Sequence, residues 1–304
     1  MYSDIIKLCN DLGCTAISSE PLKNHTSFKI GGPADLFVYV NDIDNLKIIL
    51  SYINKQNIPF FILGNGTNVL ASDDGFRGIV INLTKIKNKL TIEDNNIITC
   101  SSGISLAKVC VFALKNNLSG LEFAWGIPGS CGGALFMNAG AYGSDMSNII
   151  LKGSHIKEGG TEEILEKNKL NLSYRKSYYT DKPFIITSIS MQLKNENPTI
   201  IRSKMYENIL KRKTKQPLDF PNAGSIFKRP EGYYAGTLIE QCGLKGKNIG
   251  GAMVSPKHAG FIVNTGNATS SDVCHLINLI KETVYKKAGV TLECEIKTLG
   301  NLDL

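Results

Sequence analysis

The sequence predicts a mixed α+β fold, on three observations. Short β-branched strands and amphipathic helices alternate without a regular βαβ period. Two glycine-dense loops, 64–68 and 126–133, follow apolar or helical segments. No internal repeat or low-complexity segment breaks the chain, and its 304 residues suffice for two or three domains. A hydrophobic content of 42% with 20% charged residues describes a packed soluble protein rather than a disordered one.

"ADLFVYV" (34–40) reads as a strand, and 42–56 as a helix with apolar spacing at Leu46, Ile49, Leu50 and Ile53. "PFFIL" (59–63) and "GIVINL" (78–83) are further strands, and 90–100 is a hairpin turning at Asp94–Asn96. Ser105 caps a helix over 105–117. Residues 153–166 form strands about a Gly159–Gly160 turn, and 183–193 is another strand. Asn197 and Pro198 open a helix that ends before Pro217 and marks a domain boundary. A strand over 260–264, a helix over 271–288 with Gly289 as its C-terminal cap, and a strand over 290–300 complete the chain.

Residues 123–144 carry no charge, about the length of a membrane span. The six glycines and one proline of "GIPGSCGGALFMNAGAYG" (126–143) argue against one, since each glycine costs a helix ~1 kcal/mol relative to alanine. Bare backbone at a loop instead lets N–H groups approach an anion closely. Neither glycine loop follows the dinucleotide or phosphate-loop pattern. Hydroxyl and amide side chains (Asn65, Thr67, Asn68, Ser130) flank them, so a diphosphate cradle and a plain pair of tight turns are both open on the residues alone. Apolar surroundings also suit a flat aromatic cofactor.

The net charge is +7, part of it in "KRKTK" (211–215), which reads as a solvated helix end or an anion site. No interleaved aromatic residues favour nucleic acid there. The eight cysteines show no C-x-x-C pair, no histidine spacing suggests a metal, and the N-terminus shows no signal pattern. The expectation is a cytoplasmic chain with reduced thiols, no metal and no membrane segment.

"HTSFKIGGPADLFV", "LGNGTNVL", "GIPGSCGGALFMNAGAYG", "LSYRKSYY", "NAGSIFKRP", "GLKGKNIGGAMVSPKHAGFIVN" and "LECEIK" occur in the order found in one family. From about residue 20 to residue 300 the chain resembles the UDP-N-acetylenolpyruvoylglucosamine reductases, flavoenzymes of peptidoglycan precursor synthesis. The 30 residues from Gly143 to Ser173 resemble the shorter form of that family, without a substrate-covering tyrosine loop. The resemblance implies a vanillyl-alcohol-oxidase-type FAD-binding fold in two subdomains, 1–84 and 85–203. A third, α+β substrate domain covers 204–304, with the last residues packing back on the first subdomain.

It also implies FAD as cofactor, held by Gly64, Asn65, Gly66, Thr67 and Asn68 and by Gly126, Ile127, Pro128, Gly129, Ser130, Gly132, Gly133 and Ala134. NADPH would be the reductant, the UDP-sugar the substrate, and the chain a monomer. Arg175 would hold the substrate carboxylate, Ser225 would donate a proton and Glu295 would orient the enolpyruvyl group. In a strand Glu293 and Glu295 share a face, so alternation leaves both open and only the resemblance selects Glu295. Tyr174, Lys215, Lys228, Arg229, Lys245 and His258 would meet the substrate. Arg229 stands where the family usually has asparagine, and Cys131, where threonine or valine is usual, reads as a small buried filler. Lys215, Lys228 or a water chain could stabilise a Ser225 alkoxide. Two other readings stand beside this one: a vanillyl-alcohol-oxidase-type enzyme acting on a sugar or alcohol, and a non-catalytic basic binding protein.

Overall fold

The computed structural model describes residues 2–87 and 89–304 and divides into two units. The first comprises Met1–Ile17, Leu36–Asn65 and Ile79–Arg212; the second Ser18–Asp35, Gly66–Gly78 and Lys213–Leu304.

The first unit has two cores. One lies against a four-stranded sheet in the order Thr15–Pro21, Pro33–Tyr39, Phe76–Asn82, Phe60–Leu63, with the last two parallel and Phe60 opposite Ile79. Helices α1 (Ser3–Asp11) and α2 (Ile43–Lys55) cover it. The Asp42 side chain caps α2 by accepting from Asn45 N, and Leu46, Ile49, Leu50 and Ile53 face inward as their spacing predicts. Truncating one of them to alanine would cost ~2–5 kcal/mol.

The second core forms on an antiparallel sheet in the order Glu162–Glu166, Ile150–Ile156, Ile185–Gln192, Ile97–Ser101, Leu90–Glu93. The predicted turn at 94–96 is a short 3-10 segment with Asn95 at φ 61°. Helix α3 (Leu106–Lys115), capped by Ser105, and the short α4 (Cys131–Phe136), capped by Ser130, pack here. Ile201 and Met205 of α5 (Pro198–Lys215) join them, and Asn197 Oδ1 accepts from Thr199 N at the helix start.

The second unit carries an antiparallel sheet in the order Asn222–Ser225, Phe261–Asn264, Ala252–Val254, Asn248–Ile249. Helices α6 (Ala235–Gln241) and α7 (Ser270–Ala288) enclose its core. Gly289 ends α7 in the left-handed conformation at φ 67°, as the sequence predicts. The strand expected over 290–300 is shorter: only Lys297–Leu299 is a strand, parallel to Val69–Ala71. Among the described residues no helix is long and apolar enough to cross a membrane.

Candidate active site

The glycine loop 126–133 is stitched to the chain entering α3. Gly129 O accepts from Leu106 N (3.0 Å), Cys131 N donates to Ile104 O (2.8 Å) and Gly132 N to Ser102 O (2.8 Å). Ile104, Leu106 and Cys131 make a buried apolar floor. Asn65 Nδ2 donates to Pro128 O (2.8 Å), which ties the end of strand Phe60–Leu63 to this loop. A Cβ on Gly64 would overlap Ser130 Oγ, and one on Gly132 would lie 2.8 Å from Ser102 Cβ. Ser130 Oγ in turn accepts from Gly133 N (3.3 Å). Over this floor Pro128 and Gly133 are exposed, and only Ser130 Oγ stands close to a Cβ built on Gly133.

The result is an uncharged surface on a buried base, with Pro128 and Gly133 exposed at its edge. That fits a cofactor bound by uncharged loop groups rather than by cations.

Other glycines in the loops answer to packing. Gly66, at φ 61°, has the His25 carbonyl where its Cβ would be, and its own carbonyl accepts from Ser27 N (3.0 Å). Gly126, at φ 93°, has Ile209 Cδ1 2.7 Å from that point. Ala134 is buried in the second core, and Ile127 is partly buried against it. Thr67 is half-buried, while Asn68 Nδ2 donates to Glu295 O (3.3 Å) and Asn68 O accepts from Lys297 N (3.0 Å). Asn68 is therefore a brace for the Glu295 segment.

Arg175 sits in a two-residue turn closed by reciprocal Ser173–Lys176 bonds of 3.0 and 3.2 Å. Its φ is 56°, a conformation that costs a non-glycine residue ~1–2 kcal/mol and is typical of functional sites. The guanidinium lies 5.0 Å from the exposed Tyr174 ring, and Nη2 donates to Gly140 O (3.4 Å). What holds the turn was not legible in the motifs: buried Asn138, at φ 41°, donates to Ser173 O (2.9 Å) and accepts from Ser147 N (2.9 Å). The signal available was a lone amide inside an apolar run.

In the second unit Ser225 ends a strand whose register against Phe261–Asn264 is irregular. Gly224, at φ 81°, makes the irregularity, and Asn222 Oδ1 accepts its N–H (3.0 Å). Ser225 Oγ donates to Phe227 O (3.1 Å). The next residue links two further segments: Ile226 N donates to Gly260 O (2.9 Å) and Ile226 O accepts from Glu295 N (2.7 Å). Ser225 and Glu295 are thus carried by adjacent backbone.

Glu293 is separated from them by its own partner, Lys228 Nζ at 3.0 Å, on a 72% exposed side chain. The two glutamates that alternation left equivalent therefore differ in setting: Glu293 is exposed beside Lys228, and Glu295 is half-buried. Lys245 pairs with Glu240 at 2.6 Å, Arg229 stacks 3.8 Å from the Tyr234 ring centroid, and Lys215 is exposed at the end of α5. Exposed pairs such as Lys228–Glu293 are weak enough for an anionic ligand to displace.

His258 flanks Ser225 across Gly260. A Cβ there would lie 3.0 Å from His258 Cε1 and 3.5 Å from Ser225 Oγ. Its Nδ1 accepts from Gly260 N (3.1 Å), which leaves the proton on Nε2. Burial, against a hydrogen bond that favours the charged form and with help from Lys245, holds its pKa below the usual histidine value. The imidazole is neutral at pH 7 and can donate from Nε2.

Cys131 is fully buried; its hydrogen bond to Cys100 and its burial push its thiol up, so it is inert. Burial likewise pushes Cys110 to about 12.

A profile for an FAD binding domain matches residues 34–163, and one for the C-terminal domain of UDP-N-acetylenolpyruvoylglucosamine reductase matches 216–299. The UDP-N-acetylenolpyruvoylglucosamine reductase of Caldanaerobacter subterraneus subsp. tengcongensis is 49% identical over 282 residues, 93% of each chain. That of Clostridium tetani is 45% identical over 301 residues, covering 98% of this chain and 97% of its own. The crystal structure of the Thermus caldophilus reductase superposes with a TM-score of 0.78 at 31% identity, covering 94% of this chain and 98% of that one.

Proposed function

Because the chain belongs to the UDP-N-acetylenolpyruvoylglucosamine reductase family, we propose that it reduces UDP-N-acetylglucosamine enolpyruvate to UDP-N-acetylmuramate with NADPH and FAD. The observation that carries the reading is Ser225 Oγ on a glycine-made irregularity, joined through Ile226 to the segment of Glu295. FAD, when bound, supplies the hydride chemistry that no side chain can.

The protein's tasks follow from the substrate. An enol ether conjugated to a carboxylate accepts hydride at C3, and negative charge then develops at C2 and on the carboxylate. Arg175 holds the carboxylate, since a guanidinium pairs with it and stays charged. Ser225 Oγ–H delivers the proton to C2. Glu295 orients the enolpyruvyl group through hydrogen bonds. The Nε2–H of neutral His258 donates to the sugar nucleotide, and Lys215, Lys228, Arg229 and Lys245 receive its diphosphate, with Tyr174 beside the carboxylate end. Gly64, Asn65, Gly129, Ser130 and Gly133 hold FAD by backbone and amide contacts, while Gly66, Thr67, Asn68, Gly126, Ile127, Pro128, Gly132 and Ala134 shape that cradle.

The same reading gives a vanillyl-alcohol-oxidase-type arrangement of 1–84 and 85–203 with a substrate domain over 204–304, acting as a cytoplasmic monomer. Anaerobic titration tests it. NADPH should bleach the bound flavin, and the enolpyruvyl substrate should restore its colour one for one. Restoration by oxygen and a simple alcohol, with no response to the UDP-sugar, would sink the reading.

A further inference from the structure

The helix α5 presents Ile201, Met205, Asn208 and Arg212 along one face, at spacings of three and four. The first two are buried in the second core, and Asn208 Nδ2 donates to Glu122 O (2.9 Å). The next contacts fall on the start of the glycine loop. Ile209 Cδ1 and Arg212 Cδ lie 2.7 and 3.3 Å from the Cβ position of Gly126. Gly126 is therefore the gap through which the Arg212 stem reaches this loop.

Arg212 is half-buried, yet among the described residues it forms no ion pair. The carboxylates nearby are committed elsewhere. Glu122 accepts from Ser119 Oγ (2.6 Å) and Gly120 N (2.8 Å), Asp145 accepts from Ser147, and Glu207 pairs with Lys211 (2.5 Å). Burial lowers the pKa of the Arg212 guanidinium, and the group opposing that shift is the Tyr142 hydroxyl. A partly desolvated guanidinium without a counter-ion is costly unless a ligand completes it.

Tyr142 and Gly143 form the tip of a hairpin between Gly140–Ala141 and Ser144–Asp145. Both have positive φ, 55° and 82°, as a type I′ turn requires. The same hairpin provides Gly140 O to Arg175. Two arginines thus address one rigid hairpin, Arg175 at its base and Arg212 near its tip. On the FAD reading above Arg175 holds the substrate carboxylate, so the hairpin it shares with Arg212 belongs to the reacting end of the site; Gly126, which the Arg212 stem meets, is four residues along the loop from the Gly64–Ser130 contact.

On the FAD reading above, we propose that Arg212 meets the negative charge that the isoalloxazine ring carries once reduced, and so raises the reduction potential of the bound flavin. No proton or electron passes through Arg212; it stabilises one redox form relative to the other. The midpoint potential of the holoenzyme, titrated anaerobically against a reference dye without substrate, tests this in R212Q and R212K. R212Q should shift the oxidised/reduced equilibrium ten- to hundredfold toward the oxidised form, about 30–60 mV at 29.6 mV per decade for a two-electron couple. R212K, which keeps the charge, should retain most of the wild-type value, and oxidised FAD should bind R212Q within about threefold of wild type.

An unchanged potential in R212Q overturns the proposal. If FAD affinity falls tenfold instead, Arg212 serves the diphosphate; if the enolpyruvyl KM alone rises, it serves the substrate. An R212K shift equal to that of R212Q makes the effect steric and also overturns it. Should R212Q lose flavin during purification, the titration is run at saturating FAD, and failure to bind there counts against the proposal. A wild-type chain that binds no FAD overturns the functional reading itself, a separate result.

Discussion

Substituting Gly64 by alanine puts a methyl group where Ser130 Oγ stands, and the cost can be worked from that contact. The cheapest relief is a rotation of the Ser130 side chain, because Ser130 Cβ stays 3.3 Å away, tight but tolerable. Rotation breaks the cap to Gly133 N, and losing such a cap costs ~1 kcal/mol. Ser130→Ala removes the same cap and the same obstacle, for a similar loss. The double variant should therefore be no worse than either single one, a coupling of ~1 kcal/mol. Chemical denaturation of the four apoproteins measures the cycle, and flavin fluorescence titration of the same set follows the cradle. FAD should bind each variant more weakly than wild type, because the loop that Ser130 caps belongs to the proposed cradle. Single effects that add to within about 0.3 kcal/mol would refute the idea that Gly64 is required by Ser130.

Stability should fall on acidification through His155. This fully buried ring stacks 4.9 Å from Phe184, its Nε2 has no hydrogen-bond partner among the described residues and lies 3.7 Å from Glu163 Oε2, and burial, opposed by Glu163, lowers its pKa. The unfolded chain then binds the proton first, so stability is complete above about pH 6.5 and declines below it until the folded value is reached. His258 adds a slope of the same sign. Thermal melts from pH 8 to pH 5 should show it, and His155→Phe should flatten the slope in part; an equally steep slope in that variant would acquit His155. Glu295→Gln should depress kcat at least tenfold, whereas Glu293→Gln, which only releases Lys228, should leave it within about twofold in steady-state assays; the reverse order would reassign the roles. Lys245→Ala should raise the KM for the UDP-sugar tens-fold, if its charge-assisted contact contributes ~1.5–3 kcal/mol, with a smaller effect on flavin reduction by NADPH. Equal loss in both half-reactions would speak against UDP recognition.

Local chemistry was readable in the sequence where a short-range contact decides it. Ser105 and Gly289 end their helices as expected, and the inward face of α2 follows its period. Long-range partners were less legible. The stretch 290–300 has strand composition, but only 297–299 meets a strand edge, and that edge is supplied by Val69–Ala71. Helix α1 and strand Thr15–Pro21 were passed over, because half-exposed "TAISSEP" shows no alternation and α1 buries only Ile5 and Cys9. Glycine density could not show the packing these positions also answer to: a Cβ on Gly66 would meet the His25 carbonyl, and one on Gly126 would meet Ile209. At the site, ordered motifs pointed to Arg175, Ser225 and Glu295, while Asn138 beneath the Arg175 turn and the contact that Asn68 makes to the Glu295 segment needed the fold to become visible.

The central claim is that Ser225 protonates C2 of the reduced enolpyruvyl group. Its hydroxyl donates to Phe227 O, a bond that can be given up as substrate arrives. Ser225→Ala leaves the glycine loops, Arg175 and Glu295 untouched, so NADPH should reduce the flavin at a near-normal rate. Reoxidation by the enolpyruvyl substrate should slow by 10²–10⁴-fold or more, the range general acid catalysis supplies, and Ser225→Cys should recover part of the rate. Stopped-flow absorbance of the two half-reactions makes the comparison. Reoxidation of Ser225→Ala at the wild-type rate would contradict the account and leave Ser225 as a turn residue.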